Sequence, residues 1–201
     1  MDFTQVKRNL EARGFTVSSF ETAAEAAAHL NMQIDGATVA FGGSMTLREL
    51  GLFESLSAHN TVYSHWNAPA GMDAAELQRR AQTSEHYLLS ANGLAATGEL
   101  INIDGTGNRV SSMLFGHKKV WYVVGRNKLA PDYDTALWRA RNIAAPKNAQ
   151  RLGVKTPCAE TGDRCYDCRS PQRICRGLVV LWEAVKGCES EVVLIDEDLG
   201  Y

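Results

Sequence analysis

Apolar runs of strand length and segments of helical spacing take turns along almost the whole of this sequence, and that alternation constrains its fold most. Ala37-Thr38-Val39-Ala40-Phe41 is nearly continuous in apolar character, the pattern of a strand covered on both faces, as parallel strands are. Before it, Phe3, Val6 and Leu10 repeat at helical spacing as far as Gly14. Phe15 to Phe20 then reads as a strand, and an alanine-rich helix is expected from about Glu21 to Met32. After it come a strand at Asn60 to Ser64, a helix over Asp73 to Gln82 and a strand at Tyr87 to Ser90. A short helix at Val110 to Phe115 and a buried strand at Lys119 to Val124 follow. Asp132 to Leu152 is largely helical, interrupted at Ala145-Pro146, and two strand-like runs, Gly177 to Glu183 and Glu191 to Ile195, close the chain. Parallel strands need crossover connections, and the intervening helices supply them. The expected architecture is therefore α/β, a mostly parallel sheet with helices on both faces. A chain of 201 residues suits one domain.

Two stretches depart from this rhythm. The first is Thr97 to Arg109, where Leu100-Ile101-Asn102-Ile103 runs as a strand into a polar, glycine-bearing loop. Such a strand end frees backbone N–H groups to face a ligand. Glu99 and Asp104 are its candidate acid/base groups, although Asp104-Gly105 equally favours a turn closed on its own backbone. Arg109 has the fork to hold a carboxylate or phosphate; the alternative is a pairing with Asp104 that simply holds the loop. Gly42-Gly43-Ser44, with Thr46 and Glu49 at capping-box spacing, offers a second edge where helix N–H groups attract an anion. Glycines there equally serve a tight turn. With strand ends converging, Gly42, Gly43, Ser44, Thr46, Asn102, Gly105, Asn108 and Arg109 are expected to line one crevice. Asn142, Lys147 and Asn148 form a further polar set, or a solvated helix end. Gly105-x-Gly107 is no dinucleotide fingerprint, because Val110 stands at the third glycine's place, and no flavin motif is evident. His65, His86 and His117 lack metal-ligand spacing.

The second departure covers residues 156–176, about twenty residues without periodicity. It carries Cys158, Cys165, Cys168 and Cys175 in the spacing C-x6-C-x2-C-x6-C. Four thiolates so close in sequence can satisfy a [4Fe–4S] cluster or, as the alternative, one zinc ion. Pro157 and Pro171 restrict the backbone, and Arg164, Arg169, Arg173 and Arg176 would offset the thiolate charge. The competing reading is four reduced cysteines packed as small hydrophobes. Cys188 lies outside the pattern.

A net charge of −2 gives no electrostatic basis for a nucleic-acid partner. The longest apolar stretches, Val120 to Val124 and Leu178 to Val185, are too short to span a bilayer. Met1-Asp2-Phe3-Thr4-Gln5 does not resemble a secretory leader, so the cytoplasm is expected. There, cysteines favour metal binding, redox chemistry or burial over disulfides.

Gly42-Gly43-Ser44-Met45-Thr46, Gly98 to Val110, Lys118-Lys119-Val120 and Arg141-Asn142-Ile143-Ala144-Ala145-Pro146 together resemble the lactate utilization (LUD) domain family, to which lactate utilization protein C belongs. The likeness extends to Ser170-Pro171, Arg173-Ile174-Cys175 and the closing Asp198-Leu199-Gly200-Tyr201. It implies a fold like that of ribose-5-phosphate isomerase, glucosamine-6-phosphate deaminase and the CoA transferases. It also implies a place in lactate oxidation to pyruvate beside iron–sulfur protein subunits. The clustered cysteines point to electron transfer within this chain as a further expectation. The leading expectation is a redox-associated subunit or partner in oxidation of lactate-type 2-hydroxy acids, taking a small anionic ligand. The alternatives are a stand-alone enzyme on phosphosugars or acyl groups, and a non-catalytic module with a structural zinc site.

Overall fold

The structure is a computed structural model that describes residues 3–68 and 71–201. Met1 and Asp2, part of the amino-terminal stretch read above for a leader, lie outside the described residues. In chain order the first elements are α1 (Thr4–Ala12), β1 (Thr16–Phe20), α2 (Ala23–Gln33), β2 (Thr38–Phe41), α3 (Met45–Glu49), α4 (Leu52–Ser57), β3 (Thr61–Tyr63), α5 (Ala74–Ala81) and β4 (His86–Leu89). There follow β5 (Gly93–Ala95), β6 (Leu100–Asp104), α6 (Asn108–Leu114), β7 (Lys119–Gly125), β8 (Leu129–Ala130), α7 (Tyr133–Arg139), α8 (Ala145–Leu152), α9 (Pro157–Thr161), β9 (Gly177–Leu181) and β10 (Glu189–Ile195).

Six strands form a sheet in the order β1-β10-β7-β4-β2-β3, and every neighbouring pair is parallel. Burial on both faces explains the apolar runs: Val39, Leu88, Trp121 and Val193 face one side, and Ala40, Tyr87, Tyr122 and Val192 the other. Helix residues Ala26, Leu30, Leu52 and Leu56 cover the first side, each buried leucine contributing about 1.5–3 kcal/mol. The opposite side is covered by Val6 and Leu10 of α1, Met113 of α6, and Leu94, Leu100 and Leu181. Those last three belong to a second sheet, ordered β8-β5-β6-β9, in which β6 is antiparallel to both neighbours.

That second sheet departs from the sequence expectation. Its strands β5 and β8 span three and two residues, too short to register as periodic patterns. The stretch from Leu100 to Asp104 therefore belongs to a small mixed sheet folded over the main one, not to the parallel array. Two local expectations also shift. Ser44, not Thr46, caps α3 by accepting from Leu47 N at 3.4 Å, and the Glu49 carboxylate accepts instead from Gly200 N at 2.7 Å. The helix from Tyr133 to Leu152 does not break at Pro146; it widens into a π-turn over Ala140–Ala144. Proline lacks an N–H, and its ring would strike the carbonyl of Asn142 in a regular helix, so a wider turn just upstream relieves both problems.

Candidate functional site

The parallel strands all end on one edge. There β2 is flanked by β3 and β4, so the chain leaves β2 in one direction and returns on the other side. Ligands of open α/β sheets bind at such a reversal, outside the carboxyl ends of the strands. A cavity of about 240 Å³ lies at that place, a size for a small metabolite. Its walls come from the loop after β2 (Gly43, Ser44, Met45), after β3 (His65, Trp66), after β4 (Ser90, Ala91, Asn92) and after β7 (Lys128), and from Tyr201 beyond β10. The second sheet and α6 roof it with Ile103, Asp104, Gly105, Thr106, Asn108 and Arg109, and α8 adds Asn148 and Arg151. A neighbouring cavity of about 410 Å³ shares Gly43, Ser44, His65, Trp66 and Arg151 with it.

Positive charge dominates these walls. Lys128 is only 3% exposed; its Nζ donates to Thr46 Oγ1 at 2.6 Å and to Ser90 Oγ at 2.8 Å. Burial, reinforced by the cations of Arg139 and Arg109, pulls its pKa down to about 7, against a weaker upward pull from Glu49. Arg151 is braced: its Nε donates to Tyr201 Oη at 2.7 Å and its Nη2 to Asn148 Oδ1 at 2.9 Å, and its guanidinium lies 5.1 Å from the Trp66 ring centre. Burial lowers the pKa of His65, with Asp104 raising it and Arg109 lowering it further. Asp104 is the cavity's carboxylate, and it is already engaged. Its Oδ1 accepts from Gly105 N at 2.9 Å, and its Oδ2 from Arg109 N at 2.9 Å. It thereby satisfies first-turn N–H groups of α6, so backbone turn chemistry accounts for its position. Arg109 donates through Nη2 to Ile103 O at 2.5 Å and stands 3.7 Å from Asp104 through Nε.

The glycines of the β2 loop are explained by packing. A Cβ on Gly42 would lie 3.0 Å from Arg109 Cγ, and one on Gly43 would lie 3.1 Å from the Trp66 ring. Both residues let a cavity side chain cross close to the backbone.

Of the residues expected at the crevice, Gly43, Ser44, Asp104, Gly105, Asn108, Arg109 and Asn148 line the cavity. Gly42 borders its neighbour. Thr46 and Asn102 are fully buried behind the wall; Asn102 accepts from Asn92 N at 3.1 Å and donates to Ser90 O at 3.0 Å, which fixes the turn after β4. Three expected residues are placed elsewhere. Glu99 pairs with Arg13 Nη2 at 2.7 Å, tying α1 to the β5–β6 hairpin. Lys147 is exposed. Asn142 accepts from Cys165 N at 3.1 Å and so belongs with the cysteine loop. Sequence reasoning passed over Lys128, Arg151, Asn92 and Tyr201. For Lys128 the available signal was its place just after the carboxyl end of a buried parallel strand.

Cys158, Cys165, Cys168 and Cys175 all carry free thiols and together line a hollow of about 20 Å³, closed by Arg141, Ala145, Pro146, Ala149, Thr156, Arg173 and Ile174. Polar hydrogens aim at the sulfurs. Arg173 Nε donates to Cys175 Sγ at 3.1 Å, Asp167 N to Cys165 Sγ at 3.4 Å, and Arg141 Nη2 to Cys165 Sγ at 3.8 Å. Thr156 Oγ1 lies 3.3 Å from Cys158 Sγ. Among the described residues no group of three or more His, Cys, Asp or Glu side chains could hold a metal ion as it stands. The loop is irregular from Gly162 to Arg176, apart from a turn at Pro171-Gln172, but α9 gives its start one short helix. It rests on the cavity roof, where a Cβ on Gly105 would lie 2.6 Å from Ile174 O.

A doubly wound α/β body, a cation-lined cavity at its carboxyl edge and a ring of thiols alongside define the class of protein. The chain belongs to the LUD domain family, which it matches over residues 3–195. Its fold is similar to that of a DUF162 family protein from Deinococcus radiodurans, with a TM-score of 0.52 and 12% identity, covering 97% of this chain and 99% of that one. No curated protein matches it. Among the described residues no helix is long and apolar enough to cross a membrane.

Proposed function

We propose that this LUD protein takes a small carboxylate of the lactate–pyruvate class into its cavity. Its cysteine loop then holds a [4Fe–4S] cluster that links the site to an iron–sulfur partner protein. The observation that carries the reading is a shared wall: Ala145 and Ile174 line both the cavity and the thiol hollow. A redox group in the loop would stand one side chain away from a bound ligand. Arg109 and Arg151 against the committed Asp104 leave the cavity with cationic capacity for a carboxylate. The hydrogen bonds to sulfur fit a thiolate donor set, since N–H groups aimed at ligating sulfurs stabilise their negative charge. A cluster spreads its four ligands over separate corners, whereas a zinc ion would require every sulfur about 2.3 Å from one point; the cluster is therefore the first reading and zinc the alternative. When bound, the cluster supplies one-electron transfer. The chain's own groups do the rest: Arg151, braced by Asn148 and Tyr201, orients the carboxylate, and Trp66 shields one side of the cavity. Five free thiols suit a reducing compartment, the cytoplasm.

The test is anaerobic purification followed by metal analysis and calorimetry with lactate and pyruvate. Four iron atoms per chain and measurable binding of either acid are expected. The chain alone is expected not to reduce a soluble dye with lactate, and to do so once the iron–sulfur partner is added. Absence of both iron and binding would refute the reading; stoichiometric zinc would replace the cluster by a structural ion.

A further inference from the structure

We infer that Lys128 is a nucleophile whose amine condenses with the ketone carbon of a 2-oxo acid in the cavity, forming a reversible imine. The inference rests on the cavity taking small carboxylates, as proposed above, and adds the covalent chemistry of that site.

The geometry is that of a held amine. Thr46 gives its own hydroxyl proton to Leu199 O at 3.2 Å, so its oxygen is left to accept from Lys128. Ser90 Oγ accepts as well. A neutral amine has two N–H bonds and one lone pair. With the two N–H bonds directed at Thr46 and Ser90, the lone pair takes a remaining tetrahedral direction on a side chain that lines the cavity. Among the described residues no carboxylate forms an ion pair with it. Nor is Lys128 an incidental core residue: buried lysines are rare unless paired, and this one sits where five strand-end loops meet.

The surroundings point the same way. The charged groups acting on Nζ are Arg139 on α7, Arg109 on α6 and Glu49 on α3, and the two cations join burial in favouring the free base. With its pKa pulled down to about 7, a substantial share of Lys128 is amine at neutral pH. An ordinary lysine near 10.4 is amine in only roughly one molecule in a few thousand. A desolvated lysine with neighbouring cations is the arrangement that activates this side chain toward carbonyls. The cations of the cavity wall select the substrate class. A carboxylate next to the ketone meets Arg109 and Arg151, which line the cavity with Lys128.

The step balances without any oxidant. The Nζ lone pair attacks the ketone carbon, the carbonyl oxygen takes a proton, and nitrogen loses one to give a carbinolamine. Loss of that hydroxyl as water leaves the imine. His65, kept neutral by burial, lines the same cavity and is available to move the proton. An imine of pyruvate also acidifies the adjacent methyl hydrogens, so the chain should exchange them with solvent.

Incubation with pyruvate and cyanoborohydride, then peptide mapping by mass spectrometry, is the test. One reduced adduct per chain is expected, on Lys128, at more than about tenfold the level of any other lysine at pH 7. The labelling rate should rise with a midpoint near 7, and pyruvate methyl hydrogens should exchange in heavy water. Lys128→Met and Lys128→Arg should abolish both signals. Because either variant leaves Thr46 and Ser90 differently partnered, the peptide map of the unaltered chain decides on its own. Calorimetric binding of pyruvate with no adduct on Lys128, or with labelling spread over surface lysines, overturns the inference and leaves the cavity reading intact. Absence of lactate and pyruvate binding removes both.

Discussion

The cavity and the cysteine loop share a wall but are built in opposite ways. Behind the cavity stand Thr46, Asn102, Leu88 and Tyr87, all fully buried, and its position follows from where the strands of a packed sheet end. The loop has no such support: no residue from 157 to 180 is buried, and arginine, backbone and carboxylate contacts hold it. Apolar burial drives folding in proportion to area, so the first region orders itself. The second, proposed to gain its order from metal–thiolate bonds, needs something that is not in the chain. On that proposal one fold carries a site built by packing beside one that would be ordered by its cofactor.

The largest effect expected from this contrast is in the loop. Replacing Cys158, Cys165, Cys168 or Cys175 by Ser should abolish binding of the proposed cluster and expose residues 156–176 to protease. The melting of the α/β body should stay unchanged, and Cys188→Ser should behave as the parent chain. Metal analysis and timed proteolysis read this; collapse of the whole body after a single Cys→Ser change would erase the distinction. Next is the converse in the body. Leu56→Ala empties a fully buried position and should cost about 2–5 kcal/mol in chemical denaturation, without altering metal content. A variant that loses metal in proportion to stability would show that the two regions fold as one unit.

Arg109→Ala probes the ligand and should weaken binding of pyruvate or lactate by about 1.5–3 kcal/mol, the range for hydrogen bonds to charged groups. Calorimetry with unchanged affinity would place the carboxylate elsewhere. The remaining effect is electrostatic. Lys128 has a folded pKa of about 7 against a model value of 10.5, so between those values the unfolded chain binds more protons than the folded one. Its burial cost is full below about 7 and is relieved as pH rises toward 10.5. The stability of the parent chain relative to Lys128→Met should therefore climb by more than about 1 kcal/mol across that window. A flat difference would mean that the lysine is not desolvated.

What could be read from the sequence divides along the same line. The apolar run at β2 and the helix spacing of α1 and α2 are local patterns, and each matches an element of the structure; the four cysteines, also close in sequence, line one hollow. The small second sheet was not legible, because strands of two and three residues carry no period. Lys128 was hidden for a different reason. Arg126-Asn127-Lys128 reads as a solvated turn, and only Thr46 and Ser90, 82 and 38 residues away in sequence, make it an interior group. Glu99 misleads in the opposite sense. Its neighbours suggest a ligand site, while Arg13, far off in the chain, takes its carboxylate. Patterns survive in a sequence when their partners are near in it, and cavity residues have partners that are not.

The Ile174 carbonyl resting over Gly105 has a consequence for inheritance. As long as the cysteine loop lies on the cavity roof, position 105 has no room for any side chain, and a mutation there is tolerated only after the loop has gone. A relative without the loop would be released from glycine at this position, and one that keeps it would not. An alignment of the family should show the two traits lost together, with the glycine never departing first.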